Sequence, residues 1–218
     1  MMRWAGSILM LLGMLFPAGA QPEKLPLVFA DDFAGGDAPW QPTDPKAWRV
    51  VKTGQGAAYN QFQMSRYTPP VRSPYNLSLI KDLKVADFVL EARVQSTGKD
   101  NPHRDMCLFF GYQAPDQFYY VHLAKRADDH ANQVFIVNKA DRKKISSSTS
   151  AGTPWDDGWH DVKIARRVGD GSILVYFDGK QVMTAQDRTF TWGQVGLGSF
   201  DDSGNWADVR LHGEKVTK

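Results

Sequence analysis

The chain is poor in the features that would tie it to a common enzyme class. It has a single cysteine, Cys107, so no internal disulfide framework is available and the fold must rest on its core. Glutamate occurs only at Glu23, Glu91 and Glu214. No HExxH or other metal-ligand spacing joins the five histidines, which argues against a zinc site. GxSxG, the P-loop and a GxGxxG after a strand are absent as well, which removes the usual hydrolase, phosphotransferase and dinucleotide readings. Lys and Arg nearly balance Asp and Glu, leaving a formal charge of +2, so nothing marks a nucleic-acid binder.

The longest apolar run, Ile8 to Phe16, is about half of the ~20 residues that span a bilayer. Arg3 precedes it and Ala18-Gly19-Ala20 follows, the layout of a cleavable signal peptide. The expectation is a signal at residues 1–20 and a mature chain from Gln21, periplasmic or secreted, with no membrane span.

Residues 21–218 show neither a repeat nor a useful helical period. Short alternating or apolar runs recur instead, closed by Gly, Asp, Asn or Pro, as in an all-β domain. The clear runs are 88–94, 106–112, 118–125, 133–138, 160–166, 173–177, 194–200 and 207–211; shorter ones lie at 27–33, 48–51 and 77–80. Asp178-Gly179 reads as a tight hairpin turn. Stretches 35–46 and 146–158 read as loops. Ten to fourteen strands in one domain predict two packed antiparallel sheets.

Alternation divides each run between two faces. Val121 and Leu123 form the core side of their run, which sends Tyr120 and His122 outward. Val162, Ile164, Val175 and Phe177 place Lys163 and Tyr176 outward in theirs. Gly196 and Gly198 also face out, where bare backbone admits a close neighbour. His103-Arg104-Asp105 opens a strand, and Asp129 and His130 lie in the loop after His122. Aromatic surfaces beside charged donors suit a sugar, with its apolar C–H faces and hydroxyl rim. The predicted site is therefore one open face, with His122 and Tyr120 as acid/base, Arg104 and Asp105 orienting substrate, and His103, Lys163, Tyr176, Asp129 and His130 binding it.

Six segments come in a telling order: Phe29-Ala30-Asp31-Asp32-Phe33, Phe88 to Arg93, Gly158 to Ile164, Ile173 to Lys180, Gly193 to Gly198, and Trp206 to Leu211. In that order the chain resembles the concanavalin A-like lectin/glucanase jelly rolls, most of all the bacterial 3-keto-disaccharide hydrolase-type domains. The resemblance implies a curved sandwich, a jelly roll whose concave face holds an oligo- or polysaccharide. It implies glycan cleavage by hydrolysis or lyase chemistry or, as the alternative, lectin-like binding without turnover. The Glu-x-Asp-x-x-Glu of the laminarinase-type members is missing, so no catalytic set carries over. No cofactor is required on this reading, although the resemblance implies a structural calcium ion joining first and last strands, with Asp32 and Asp208 at the matching ends.

Overall fold

A computed structural model describes residues 25–217. The expected signal segment lies outside the described residues. In chain order the strands are β1 (Leu27–Asp31), β2 (Trp40–Pro42), β3 (Trp48–Thr53), β4 (Gly56–Gln61), β5 (Asn76–Ile80), β6 (Val85–Ser96), β7 (Asp105–Ala114) and β8 (Gln117–Ala124). They continue as β9 (Gln133–Asn138), β10 (Lys143–Lys144), β11 (Ser146–Thr149), β12 (His160–Arg167), β13 (Ser172–Phe177), β14 (Lys180–Gln186), β15 (Gln194–Ser199) and β16 (Gly204–Lys215). A single 3-10 turn precedes β3.

The strands form two antiparallel sheets. One runs β11-β14-β13-β12-β6-β16-β4-β3, with β1 also paired to β16, and the other β10-β9-β8-β7-β15-β5-β2. Every expected run is a strand. Beyond those, β2 and β11 fall in stretches read as loops: β2 is three residues long and ends in Pro42, and β11 is a serine-rich edge strand, so neither carries an apolar period. The last strand is the hub of the larger sheet, because β16 pairs with β1, β4 and β6 at once. The Asp178-Gly179 turn has positive φ at both residues (48° and 75°), which matches the right-handed twist of the β13–β14 hairpin.

Two apolar layers result. The main core lies between the sheets and includes Trp206, Tyr59, Phe88, Phe110, Val121, Ile164 and Val175. A second cluster covers the outer side of the seven-stranded sheet, built from Leu77, Leu79, Cys107, Phe109, Phe118, Tyr120, Phe135 and Val137, with Val71, Tyr112 and Phe200 packed on it. Residues 62–75, an irregular segment between β4 and β5, lie over this face. Its Arg72 N–H donates to Asp141 Oδ1 (2.9 Å), and Arg142 N–H donates back to Arg72 O (3.0 Å) at the β9–β10 edge. Tyr75 N–H then donates to Phe200 O (3.0 Å) as the segment enters β5.

The nine-stranded sheet keeps the alternation of a half-wet face: in β12 and β13 every second residue is buried and those between are half or fully exposed. The seven-stranded sheet does not, and nearly every residue of β5, β7, β8 and β9 is buried. Gly196 and Gly198 face the outer side, as expected, but the neighbour that comes close is protein. A Cβ at Gly198 would sit 1.9 Å from the backbone oxygen of Asn76 in β5. Gly198→Ala is therefore expected to lower stability by about 3 kcal/mol, the upper range of overpacking; an unchanged denaturation midpoint would contradict this close approach.

Candidate functional site

The open face expected to unite Tyr120, His122, Lys163 and Tyr176 does not exist as one surface. Alternation within each strand is as expected, but β8 belongs to one sheet and β12 and β13 to the other, so the two pairs point out of opposite sides of the sandwich. Tyr120 and His122 are also not open to solvent: they are 0% and 4% exposed. The reason is the second apolar layer. Tyr120 stacks on Phe135 (5.0 Å) and Phe109 (5.9 Å), and His122 stacks on Phe200 (5.7 Å). Arg142 closes the layer, its guanidinium 4.3 Å from the Phe200 ring centroid and 4.8 Å from that of Phe135, with Nη1 donating to Tyr120 Oη (2.8 Å). Burial drives the Tyr120 phenol well above its ordinary range.

Arg104 and Asp105 are corrected in the same way. Arg104 is buried and spends its donors on Ser96 Oγ and O and on Asp156 O, so it pins the loop before β12 to the end of β6 rather than a substrate. Asp105 is buried beside His122, with Oδ1 accepting from Phe200 N–H (2.8 Å). Asp202 Oδ2 accepts from Asp105 N–H (2.8 Å). Burial and the neighbouring Asp105 carboxylate push Asp202 up to about 6 and raise Asp201 as well. The chain makes room for this acidic group at Gly98, where a Cβ would stand 2.6 Å from Asp202 Oδ1. His103, Asp129 and His130 are exposed at the rim: His103 faces Asp128 (3.3 Å), Lys144 pairs with Asp129, and the His130 carbonyl faces His122 Nδ1 (3.1 Å). His160, at the start of β12, has Asp178 and Asp156 at its two ring nitrogens (2.8 and 3.1 Å) and ties the turns together.

Lys163 and Tyr176 belong to a different place. On the outer face of the nine-stranded sheet a cavity of about 570 Å³ is lined by Glu91, Arg93, Asp161, Lys163, Tyr176, Asp208 and Arg210. Its floor is a checkerboard of charge. Lys163 lies opposite Glu91 and Asp161 opposite Arg93 across β12–β6, and Glu91 lies opposite Arg210 across β6–β16. Such facing pairs stabilise a sheet and present both donors and acceptors to solvent. Two half-buried rings meet these charges: Tyr176, which lines the cavity, lies under Lys163 Nζ (4.6 Å), and Trp159, outside the lining, lies under the Arg93 guanidinium (5.3 Å). Trp159, Glu91, Arg93 and Arg210 were not among the expected site residues. The same alternation that assigns Lys163 outward places Trp159 and Asp161 with it, and β6 split in that way gives Glu91 and Arg93.

Asp32 and Asp208 are exposed, at the β1–β16 junction where Asp31 pairs with Val209. Asp32 Oδ1 accepts from Ala34 N–H (3.0 Å), and Asp208, left-handed (φ 49°) at a bulge in β16, faces Arg93 at 3.4 Å. Neither joins a group of three ligating side chains among the described residues.

No family model and no curated protein matches the chain. Solved structures do. Carbohydrate-binding module CBM66 from Bacillus subtilis aligns with TM-score 0.57 and 18% identity over 80% of this chain and 95% of its own. Domain 4 of AbnA, a GH43 extracellular arabinanase from Geobacillus stearothermophilus solved with arabinotriose, gives 0.58 and 10% over 89% and 96%. The winged bean acidic lectin bound to methyl-α-D-galactose gives 0.53 and 11% over 83% and 94%. At these identities the likeness establishes the fold: a concanavalin A-like jelly-roll sandwich.

Two outcomes follow from the sealed face. Arg142→Ala removes one hydrogen bond and two cation–π contacts, and is expected to cost about 1–2 kcal/mol and to raise binding of an apolar dye; unchanged dye binding would show that Arg142 does not close the layer. Burial pushes Tyr112 up to about 12, from 10.0, and raises Tyr120 well above its ordinary value. A folded pKa above the unfolded one means this stability is complete below pH 10 and is lost as pH climbs through 12. In alkaline titration the phenolate absorbance of this pair should emerge only with unfolding, not before it.

Proposed function

We propose that this protein binds carbohydrate, and that the sugar sits in the cavity on the outer face of the nine-stranded sheet against Tyr176, with Trp159 supporting the Arg93 that lines it. The observation that carries the reading is the cavity itself: an open, alternately charged floor with the Tyr176 ring in its lining. A pyranose or furanose ring lays its C–H face on an aromatic side chain and turns its hydroxyls to paired donors and acceptors. Lys163, Arg93 and Arg210 supply donors; Glu91 and Asp161 supply acceptors. The neighbours crystallised with arabinotriose and with a galactoside support the same class of ligand.

Binding is favoured over cleavage because the residues expected to do acid/base work, Tyr120 and His122, are packed under Phe200 and Arg142. A general acid/base has to come within hydrogen-bond reach of the substrate, directly or through one water. Glycan cleavage by His122 remains the competing reading, and one set of variants separates the two. Screened against an oligosaccharide array and then titrated calorimetrically, Trp159→Ala and Tyr176→Ala should each weaken binding about tenfold or more, ~1.4 kcal/mol, with little loss of stability. His122→Ala should leave affinity unchanged. Full affinity in both aromatic variants would sink the assignment, and sugar release that disappears in His122→Ala would establish cleavage instead.

A further inference from the structure

Cys107 and His122 face each other across the β7–β8 ladder, and Asp105 precedes Cys107 by two residues on the same face. All three are buried, at 0%, 4% and 1% exposure. One ligating atom of each, a carboxylate oxygen, the thiol sulfur and an imidazole nitrogen, lies within 4.8 Å of the other two.

The tautomer of His122 follows from its surroundings. Nδ1 is 3.1 Å from the carbonyl oxygen of His130, which can only accept, so Nδ1 carries the proton. The lone pair of Nε2 is then directed into the cluster, 3.4 Å from Asp105 Oδ2, and Nε2 makes no hydrogen bond. A lone pair facing a carboxylate oxygen in a dry site is repulsive unless something positive stands between them.

We propose that Asp105, Cys107 and His122 form a binding site for a divalent ion of the zinc type. The donor set of one nitrogen, one sulfur and one oxygen selects a borderline-soft metal over calcium or magnesium, which take oxygen. The spacing fits too. Bonds of about 2.0–2.3 Å to a tetrahedral zinc put neighbouring ligand atoms roughly 3.3–3.8 Å apart. Here His122 Nε2 and Asp105 Oδ2 are 3.4 Å apart, while Cys107 Sγ lies 3.5 Å from the other oxygen of that carboxylate, Oδ1, to which its thiol donates.

The outer partners of a metal site are in place as well. His122 donates its other ring N–H to a backbone carbonyl, and Asp105 Oδ1 accepts from Phe200 N–H. Binding releases the thiol proton to solvent, while the imidazole and the carboxylate bind through lone pairs, and no electrons are transferred. One thiolate and one carboxylate among the ligands then balance the charge of the ion. Asp201 and Asp202 approach Asp105 to within the same 4.8 Å, and a divalent cation would offset the repulsion among the three carboxylates. The site lies on the opposite side of the sandwich from the sugar cavity and does not depend on it.

The test uses the whole mature protein. Purified without chelator, it is expected to carry one zinc per chain by elemental analysis, and chelator-treated protein should gain melting temperature when zinc is returned. Reloaded with cobalt, it should show a sulfur-to-cobalt charge-transfer band that Cys107→Ser abolishes and His122→Ala weakens. Cobalt bound without that band would overturn the proposal. So would wild-type protein that holds no metal and melts at the same temperature with and without zinc, which would leave a proton on Nε2 as the cation. If either variant does not fold, the wild-type spectrum and melting shift decide.

Discussion

Arg142 rests its guanidinium on the rings of Phe135 and Phe200, donates to the hydroxyl of Tyr120, and through its backbone holds the far end of residues 62–75. With that contact in place the seven-stranded sheet is dry on both sides. Much else depends on it. A sheet packed on two faces keeps water from its polar side chains, so those it carries, among them Asn76, Ser78, Asp105, His122, Gln133 and Ser199, depend on neighbouring protein groups for partners. The nine-stranded sheet faces solvent on one side and can carry rows of charge there. The sandwich thus divides its labour by sheet: one holds a closed polar cluster in an aromatic layer, the other an open surface.

How much of this was legible in the sequence follows from how local each signal is. The strands were legible because a period of two repeats within five or six residues, and Asp178-Gly179 marks its turn without help from the rest of the chain. Within each strand the sides were also legible: Tyr120 and His122 do point away from Val121 and Leu123. What was not legible was which sheet a strand joins, a matter of pairing between residues far apart in the chain. Tyr120 and Tyr176 were grouped because both point away from the core, and they do so in opposite directions. A clue to the covered face was present. Met106-Cys107-Leu108-Phe109-Phe110 and Phe118 to Ala124 are apolar at nearly every position, the pattern of strands buried on both faces rather than one.

The same limit explains why a spacing rule finds no metal motif here. Linear motifs encode ligands that one helix or one turn brings together. In a sheet, Cys107 and His122 meet through register alone, fifteen positions apart in the chain but opposite in the ladder. The charged floor on the other sheet is of this kind too: Lys163, Glu91 and Arg210 come from three strands, and only the register of β12, β6 and β16 makes them alternate in sign. Function on a sandwich face is written across the strands.

The place of β16 has a consequence for how the chain comes into being. This strand follows every other described strand in the chain, yet it stands inside the larger sheet, between β6 on one side and β4 and β1 on the other. Until residue 215 has left the ribosome, the nine-stranded sheet exists at most as two separate parts: the β3–β4 hairpin, and the run from β6 through β12 and β13. Contacts between residues near the two ends are the slowest to form in any chain, because the entropy of loop closure must be met before they give anything back. A chain that lacks β16 therefore leaves β1 without a partner and bares one edge each of β4 and β6.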